Sequence, residues 1–462
     1  MIVVLAAAPF LAIGIVAEKR RGLQNYGWMG GCVEAPRSNP SSAKTTTSLS
    51  SAPLKPSGPP RIWCDAGASN GKVDPYLIRP PMMVRLMPYR YWRVQDTLAG
   101  FAQTGQPLVA IGPDGTKQAE WGDDPGLYWL VPNLVRASSA PLATVYDFTL
   151  LIVIGSAAAV GMAGLFLLLN SVWTKLLSFA AILTTQVAML LIGDLYILPP
   201  ALALALLPWF FHLAHPAGEA AKARLAAFLL FCGFACGVAF QFRGHSGTAV
   251  LLVVFLFTIF GVQLPKRQRF PMAALLMVGF LMPHLYMNHL LSVRDGYLSS
   301  TQKDFVQGLN RHSTWHYAYL AMGFVHNIYI PDTQDDVAYA RARAIKPDVV
   351  PEGAEYEGIM RTEVFRFIRD HPDIAFLNVA GKSGIALAVF LLSANLGIWA
   401  ACYRPKPRTL EWSWRTGLLV SAAPGILALP HPQYLLGLAV LSQLYALISL
   451  DFAVSRSATP NG

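Results

Sequence analysis

Charge is scarce in this chain. Asp, Glu, Lys and Arg make up 13% of its 462 residues, where a soluble protein carries roughly 25%. With 54% hydrophobic residues, that deficit excludes an ordinary soluble enzyme and points to an integral membrane protein. Acid is scarcer than base, 26 residues against 36, for a net charge of +10. In a membrane protein such an excess gathers in cytoplasmic loops. No basic stretch is interleaved with aromatics, so no nucleic-acid partner is expected. Cysteine is scarce too: five residues give no metal framework. Cys232 and Cys236, one turn apart in an apolar segment, read as small buried hydrophobes. Cys32 and Cys64 lie in a polar region and are free to pair if that region is extracytoplasmic. A Walker motif, a Gly-rich dinucleotide loop and a Gly-x-Ser-x-Gly elbow are all missing.

Long apolar runs, in contrast, are plentiful. About ten spans are predicted, at 2–17, 148–170, 176–193, 197–213, 225–241, 247–264, 270–290, 384–402, 416–430 and 433–453. The fold class expected is therefore all-α, a polytopic membrane helical bundle. One set of connections carries Lys175, then Lys222 and Arg224, then Lys266, Arg267 and Arg269, then Arg404, Lys406 and Arg408, and last Arg456. The alternate set, 193–196, 243–246 and 430–432, is nearly free of basic residues. Basic short loops mark the cytoplasmic side. Lys19, Arg20 and Arg21 directly after the first span oppose this orientation, but long loops escape the charge rule.

The chain then divides into a first span (1–17), a long outer loop (18–147), a membrane bundle (148–290), an outer helical insert (291–383) and the C-terminal spans (384–462). Residues 36–60 are rich in Ser, Thr and Pro and read as a disordered linker. Residues 75–145, denser in Tyr, Trp and Leu, are expected to form short helices at the membrane surface.

Polar residues collect on the outer side of the spans. "EWGDDPGLYWLVPNL" places Asp123 and Asp124 among Trp121, Tyr128 and Trp129 before the second span. "IGDLYILPP" places Asp194 and Tyr196 at the end of the third, and "FRGHSG" places Arg243 and His245 in the following outer loop. "MPHLYMNHLL" adds His284 and His289. Ionisable groups at this depth are costly and mark function. A structural reading stands beside each. "DDPG" also suits a helix N-cap with Pro at the first helical position, Asp194 also suits a span terminator, and Arg243 a lipid-headgroup anchor. His312 and His316, spaced i,i+4, share one helical face as a metal pair requires, with no third ligand at fixed spacing. Asp332, Asp335 and Asp336 lack the Gly and Glu of a calcium loop and read as a solvated helix start.

This layout resembles the GT-C superfamily of membrane glycosyltransferases. The resemblance rests on "WGDDPGLYW" in the first outer loop, "GDLY" in the next, and "PHPQYLLGL" before the last span. It implies a lipid-linked sugar donor on a polyprenyl-phosphate carrier, a glycan or lipid acceptor, and transfer on the extracytoplasmic face of a membrane, expected to be the bacterial inner membrane. It implies Asp123, Asp124 and Asp194 as candidate catalytic carboxylates. Arg243 and His245 would meet phosphate, while Trp121, Tyr128, Tyr196, His284 and His289 would serve the substrate. A divalent cation, Mg or Mn, is compatible with the carboxylates. Two other readings remain open. One is a polysaccharide polymerase or ligase whose site is built from 291–383, and the other is a non-catalytic subunit of a surface assembly.

Overall fold

The computed structural model describes residues 88–112, 115, 117–119, 124–215, 218–302, 305, 314–351, 353–404 and 406–455. The predicted span 2–17, the linker 36–60, Cys32, Cys64, Trp121, Asp123 and His312 lie outside the described residues. Those described form fourteen α-helices, one short 3-10 turn and a two-stranded hairpin. The protein is an all-α polytopic membrane bundle.

Helix α1 (Pro88–Thr104) leads into the antiparallel hairpin β1 (Val109–Ile111) and β2 (Lys117–Ala119), then α2 (Pro125–Ser138). The hairpin is an addition to the interfacial helices predicted here. The bundle follows as α3 (Leu142–Leu168), α4 (Val172–Ile192), the 3-10 turn Leu195–Ile197, α5 (Leu198–Leu213), α6 (Glu219–Phe242), α7 (Thr248–Phe260) and α8 (Lys266–Thr301). Helices α9 (Thr314–Ala321), α10 (Asp335–Ile345) and α11 (Ala354–Asp370) form the insert. The chain closes with α12 (Pro372–Tyr403), α13 (Arg408–Leu427) and α14 (Pro432–Ser455).

Seven of these segments are long and apolar enough to cross a membrane. They are α3, α4, the 3-10 turn with α5, α6, α8, α12 and α14. Two further expected spans differ from the prediction. The run 247–264 is helical only over Thr248–Phe260, because Gly261 ends α7 and a turn follows. The run 416–430 belongs to α13, whose first two turns carry Arg408, Glu411 and Arg415. Helix α8 continues eleven residues past the apolar run, and α12 begins twelve residues before its own. The residues between those two helices are therefore 302–371.

Helices α5 and α14 are the most enclosed, and α14 packs on α12, α13, α5 and α4. At the basic-loop end, Asp451 of α14 accepts hydrogen bonds from the Ser171 amide (2.8 Å) and the Thr174 hydroxyl (2.7 Å). It thereby satisfies the start of α4, where helix amides have no partner of their own. Lys406 pairs with Glu411 at 3.1 Å at the same end.

Helix α6 crosses α8 at backbone contact. A Cβ at Gly233 would stand 1.9 Å from the Leu276 carbonyl oxygen, and one at Gly279 2.1 Å from that of Leu230. Small residues let membrane helices approach this closely, where dispersion rather than water drives association. The crossing fixes α6, whose end carries Arg243. Gly279→Ala should therefore lower the midpoint of thermal unfolding in detergent, at a cost of about 1–3 kcal/mol for overpacking. Gly155→Ala on α3, where an added Cβ meets nothing within 4 Å, should not lower it.

Candidate active site

Four charged side chains from four separate segments meet at the end of the bundle opposite the basic loops. Arg90 comes from the first turn of α1 and Asp124 from the residue before α2. Asp194 comes from the turn between α4 and α5, and Arg243 from the end of α6. All four are buried, with exposures of 0%, 1%, 1% and 8%.

Each is placed by its local sequence. Pro125 starts α2 with a ring that needs no amide partner, and Asp124 holds the N-cap position with a non-helical φ of −133°. Its side chain makes no cap hydrogen bond. Gly126 brings this end of α2 against α6: a Cβ there would lie 2.9 Å from the Phe242 ring. Gly193 takes the left-handed conformation (φ 59°) that ends α4 and turns the chain into Asp194. Arg243 follows the last turn of α6 in extended conformation (φ −158°, ψ 115°), which aims it back across the bundle end.

Arg90 is the hub. Its Nε donates to Asp124 Oδ2 at 2.7 Å, and its Nη1 donates to Asp194 Oδ2. Asp194 Oδ1 accepts the Leu195 amide at 2.7 Å and the Tyr146 hydroxyl at 3.4 Å. Arg243 Nη1 reaches Asp124 Oδ1 at 3.4 Å, longer than the Arg90 contact. Its Nη2 donates to the hydroxyls of Tyr196 (3.1 Å) and Tyr434 (3.4 Å). The Tyr196 ring lies between both guanidiniums, 5.5 Å from Arg90 and 5.0 Å from Arg243. His245 stacks 6.4 Å from Tyr196.

The charges balance, two cations against two anions, as burial demands. Burial pushes the Asp194 carboxyl above the ordinary carboxylate range. Arg90 and the Leu195 amide oppose this, and the negative charge of Asp124 adds to it. Burial also works against the charge of Arg243. The oxygens of Tyr196, Asp124 and Tyr434 outweigh it, and the group remains a cation.

A small cavity, with a volume of about 20 Å³, lies beside the network. His245, Gly247 and Tyr434 line it with Ser421, Pro424 and Leu441. It runs between α5, α7, α13 and α14 and is largely apolar below Tyr434.

Of the residues expected from sequence, Asp124, Asp194, Tyr196, Arg243 and His245 come together. The side chain of Asp124 serves two arginines rather than the helix, and Arg243 is buried among polar partners rather than extended as a headgroup anchor. His284 is turned elsewhere. It pairs with Gln241 at 2.9 Å and packs on Phe240 and Phe280 between α6 and α8. His289 is on the exposed side of α8. Tyr128 is buried in α2, and Trp129 meets Tyr286 edge to face at 5.5 Å.

The residues that sequence reasoning missed are Arg90, Tyr146 and Tyr434. Arg90 lies 34 residues from Asp124 and 104 from Asp194, so no local pattern selects it. Tyr434 stood in "PHPQYLLGL", a segment singled out without a role for its tyrosine.

The donor set does not fit a divalent cation. The oxygens of Asp124 and Asp194 already face guanidinium and amide N–H groups, and two positive charges stand where the ion would sit. Among the described residues no group of three His, Cys, Asp or Glu side chains converges.

In the insert, His316 stands between the Tyr356 hydroxyl (2.5 Å) and Asp335 (3.1 Å). Both His316 and Tyr356 are buried in the insert's own core of Tyr319, Ala338, Met360 and Val364.

No family model matches the chain, and no curated protein matches it. In outline, the chain resembles ArnT. The crystal structure of ArnT from Cupriavidus metallidurans in the apo state matches with a TM-score of 0.36 and 15% identity. The match covers 82% of this chain and 75% of that one. A likeness this distant carries no argument about activity.

Removing Arg90 leaves two buried carboxylates without their main partner, a loss of roughly 3–5 kcal/mol. Arg90→Met should sharply lower the unfolding midpoint in detergent. Asp194→Asn added to it should recover part of the loss, a non-additivity that a double-mutant cycle reads directly. Asp96, on the same helix, has its carboxyl lifted to about 6 by burial, with Arg93 opposing. A raised acid pKa favours the folded state at low pH, and that contribution disappears as pH rises through about 6. The gain in melting temperature from Asp96→Asn should therefore be larger at pH 7.5 than at pH 4, when both proteins are melted across that series.

Proposed function

We propose that the chain is a membrane glycosyltransferase that moves a sugar from a polyprenyl-phosphate carrier to a cell-envelope acceptor. The reaction takes place at the extracytoplasmic end of the bundle. The observation that carries this reading is the buried meeting of Asp124, Asp194, Arg90 and Arg243 beside a small cavity between membrane helices. Glycosyl transfer needs a carboxylate for the acceptor proton and a cation for the departing phosphate. Both are present, and each is held in place before substrate arrives.

On this reading the acceptor hydroxyl oxygen attacks C1 of the sugar, and the bond from C1 to the carrier phosphate oxygen breaks. The electron pair of that bond leaves on the phosphate, and the hydroxyl proton passes to Asp124. Arg243 holds the phosphate, because it is the more accessible guanidinium and makes the longer contact to Asp124. Taking up phosphate draws Arg243 off Asp124 Oδ1 and frees that oxygen to accept a proton. Arg90 stays behind as the positioning residue for both carboxylates. Asp194, braced by the Leu195 amide and Tyr146, orients Arg90. Tyr196 and Tyr434 steady Arg243, and His245 lines the small cavity beside them. Asp123 stays a candidate catalytic carboxylate and Trp121 a candidate substrate residue, both outside the described residues.

The test is transfer of a labelled sugar from a panel of polyprenyl-phosphate donors by purified protein. Asp124→Asn should lower the rate by about 10²–10⁴-fold with the fold retained. Arg243→Gln should lower it by about 10²-fold or more. No transfer from any donor, together with variants that are less stable than the parent but as functional in cells, would overturn the reading. The network would then be a structural tie, and a surface-assembly subunit would be the better description.

A further inference from the structure

The most exposed large apolar side chain among the described residues is Ile328, at 84%. It lies in the segment between α9 and α10, at the tip "HNIY", residues 326–329. The segment is held in one shape. The Asn327 side chain donates to the carbonyls of Met322 (3.1 Å) and Val325 (2.9 Å) and accepts the amide of Ile330 (2.8 Å). Such a tip does not bury Ile328, so its exposure is built in.

The height of the tip can be read from α12. The Val325 amide donates to Asn378 Oδ1 at 2.8 Å, and the Tyr329 ring stacks on His371 at 3.8 Å. Ile328 therefore stands beside the stretch of α12 between residues 371 and 378. Along that stretch the exposed surface changes character. Asp370 and Asp373 are exposed and charged, whereas Phe376 is 66% exposed and apolar. From Phe376 onward the large exposed side chains of α12 are Leu377, Val379, Leu392, Leu396, Trp399 and Tyr403. From Phe376 to Asn395, where the backbone leaves the helical conformation (φ 32°, ψ −113°), is about 28 Å of helix, close to the thickness of the hydrocarbon core, and the stacked pair Trp399 and Tyr403 follows beyond the kink. The change between Asp373 and Phe376 is therefore the edge of the membrane, and Ile328 is level with it.

We propose that the tip formed by His326, Ile328 and Tyr329 is a membrane anchor. Ile328 dips into the boundary between headgroups and acyl chains, and Tyr329 sits at headgroup level, where aromatic rings with a polar end settle. The occupant of this surface is lipid, because the tip continues the lipid-facing side of α12. The anchor fixes the insert at a set height on the leaflet at the site end of the bundle. This inference rests on the span assignment and not on any catalytic reading.

The test uses the full chain in phosphatidylcholine vesicles. An environment-sensitive NBD label is attached to an Ile328→Cys variant in which Cys32, Cys64 and Cys402 are changed to Ser. Arg369→Cys in the same background is the aqueous reference. The expected result is a blue-shifted emission at 328 that loses most of its intensity with brominated acyl chains, while the label at 369 keeps both its wavelength and its intensity. An emission at 328 matching that at 369 would overturn the anchor. So would a blue shift that brominated lipid does not quench, because a protein surface would then be covering the tip.

Discussion

The contact of Arg90 with both Asp124 and Asp194 is the constraint on which the site end depends. A guanidinium buried at 0% exposure must find anions around it, and two carboxylates from distant segments supply them. Arg90 is on the helix that precedes the hairpin, Asp124 begins α2, and Asp194 closes α4. One side chain thus fastens the segment before the first described span to the core of the bundle. Arg243 is the second clasp. It joins the end of α6 to Asp124 and, through the hydroxyls of Tyr196 and Tyr434, to the starts of α5 and α14. Charge neutrality ties these contacts together, because losing any member leaves another buried and unbalanced.

The bundle beneath is arranged so that those helix ends coincide. The backbone crossing of α6 and α8 at Gly233 and Gly279 sets the tilt that delivers Arg243. Gly126 lets the start of α2 lie against the end of α6, which brings Asp124 within reach of it. At the opposite end Asp451 holds the start of α4, and the far end of that helix is where Gly193 turns toward Asp194. Precision at the ion network therefore depends on close packing at points tens of residues away in sequence.

Much of the bundle was legible because hydropathy reports what lies in lipid. The seven long spans correspond to apolar runs, and charged residues at their ends flagged Asp124, Asp194 and Arg243. What hydropathy does not report is helix that continues into water. The final turns of α8 are polar and read as part of the insert, as do the first turns of α12, where Asp373, Asn378 and Lys382 interrupt the apolar run of Phe376, Leu377 and Val379. Arg90 was illegible for a different reason. "PYRYWR" holds two arginines on one helix, and only the fold decides that Arg90 turns inward. His284 and His289 were grouped with the site because they share its depth. Depth is common to every helix end on that side, whereas direction is set by packing, and α8 turns His284 toward Gln241. Asp124 shows the limit of a local motif. Its backbone does begin a helix after Asp-Pro, while its carboxylate is claimed by partners no motif includes.

A network already balanced in charge is a poor base as it stands, since each carboxylate oxygen faces a donor. That state changes when a further anion arrives. A phosphate brings negative charge to a cluster of two cations and two anions, and the contact most easily given up is the 3.4 Å one between Arg243 and Asp124. The Arg90 contact at 2.7 Å remains and keeps Asp124 from moving away. On the proposed reading, one oxygen of Asp124 is then left without the Arg243 contact, at the place where the acceptor hydroxyl would come. The buried ion pairs serve the fold as they stand, and on the proposed reading the same residues would take up chemistry when an anion disturbs their balance.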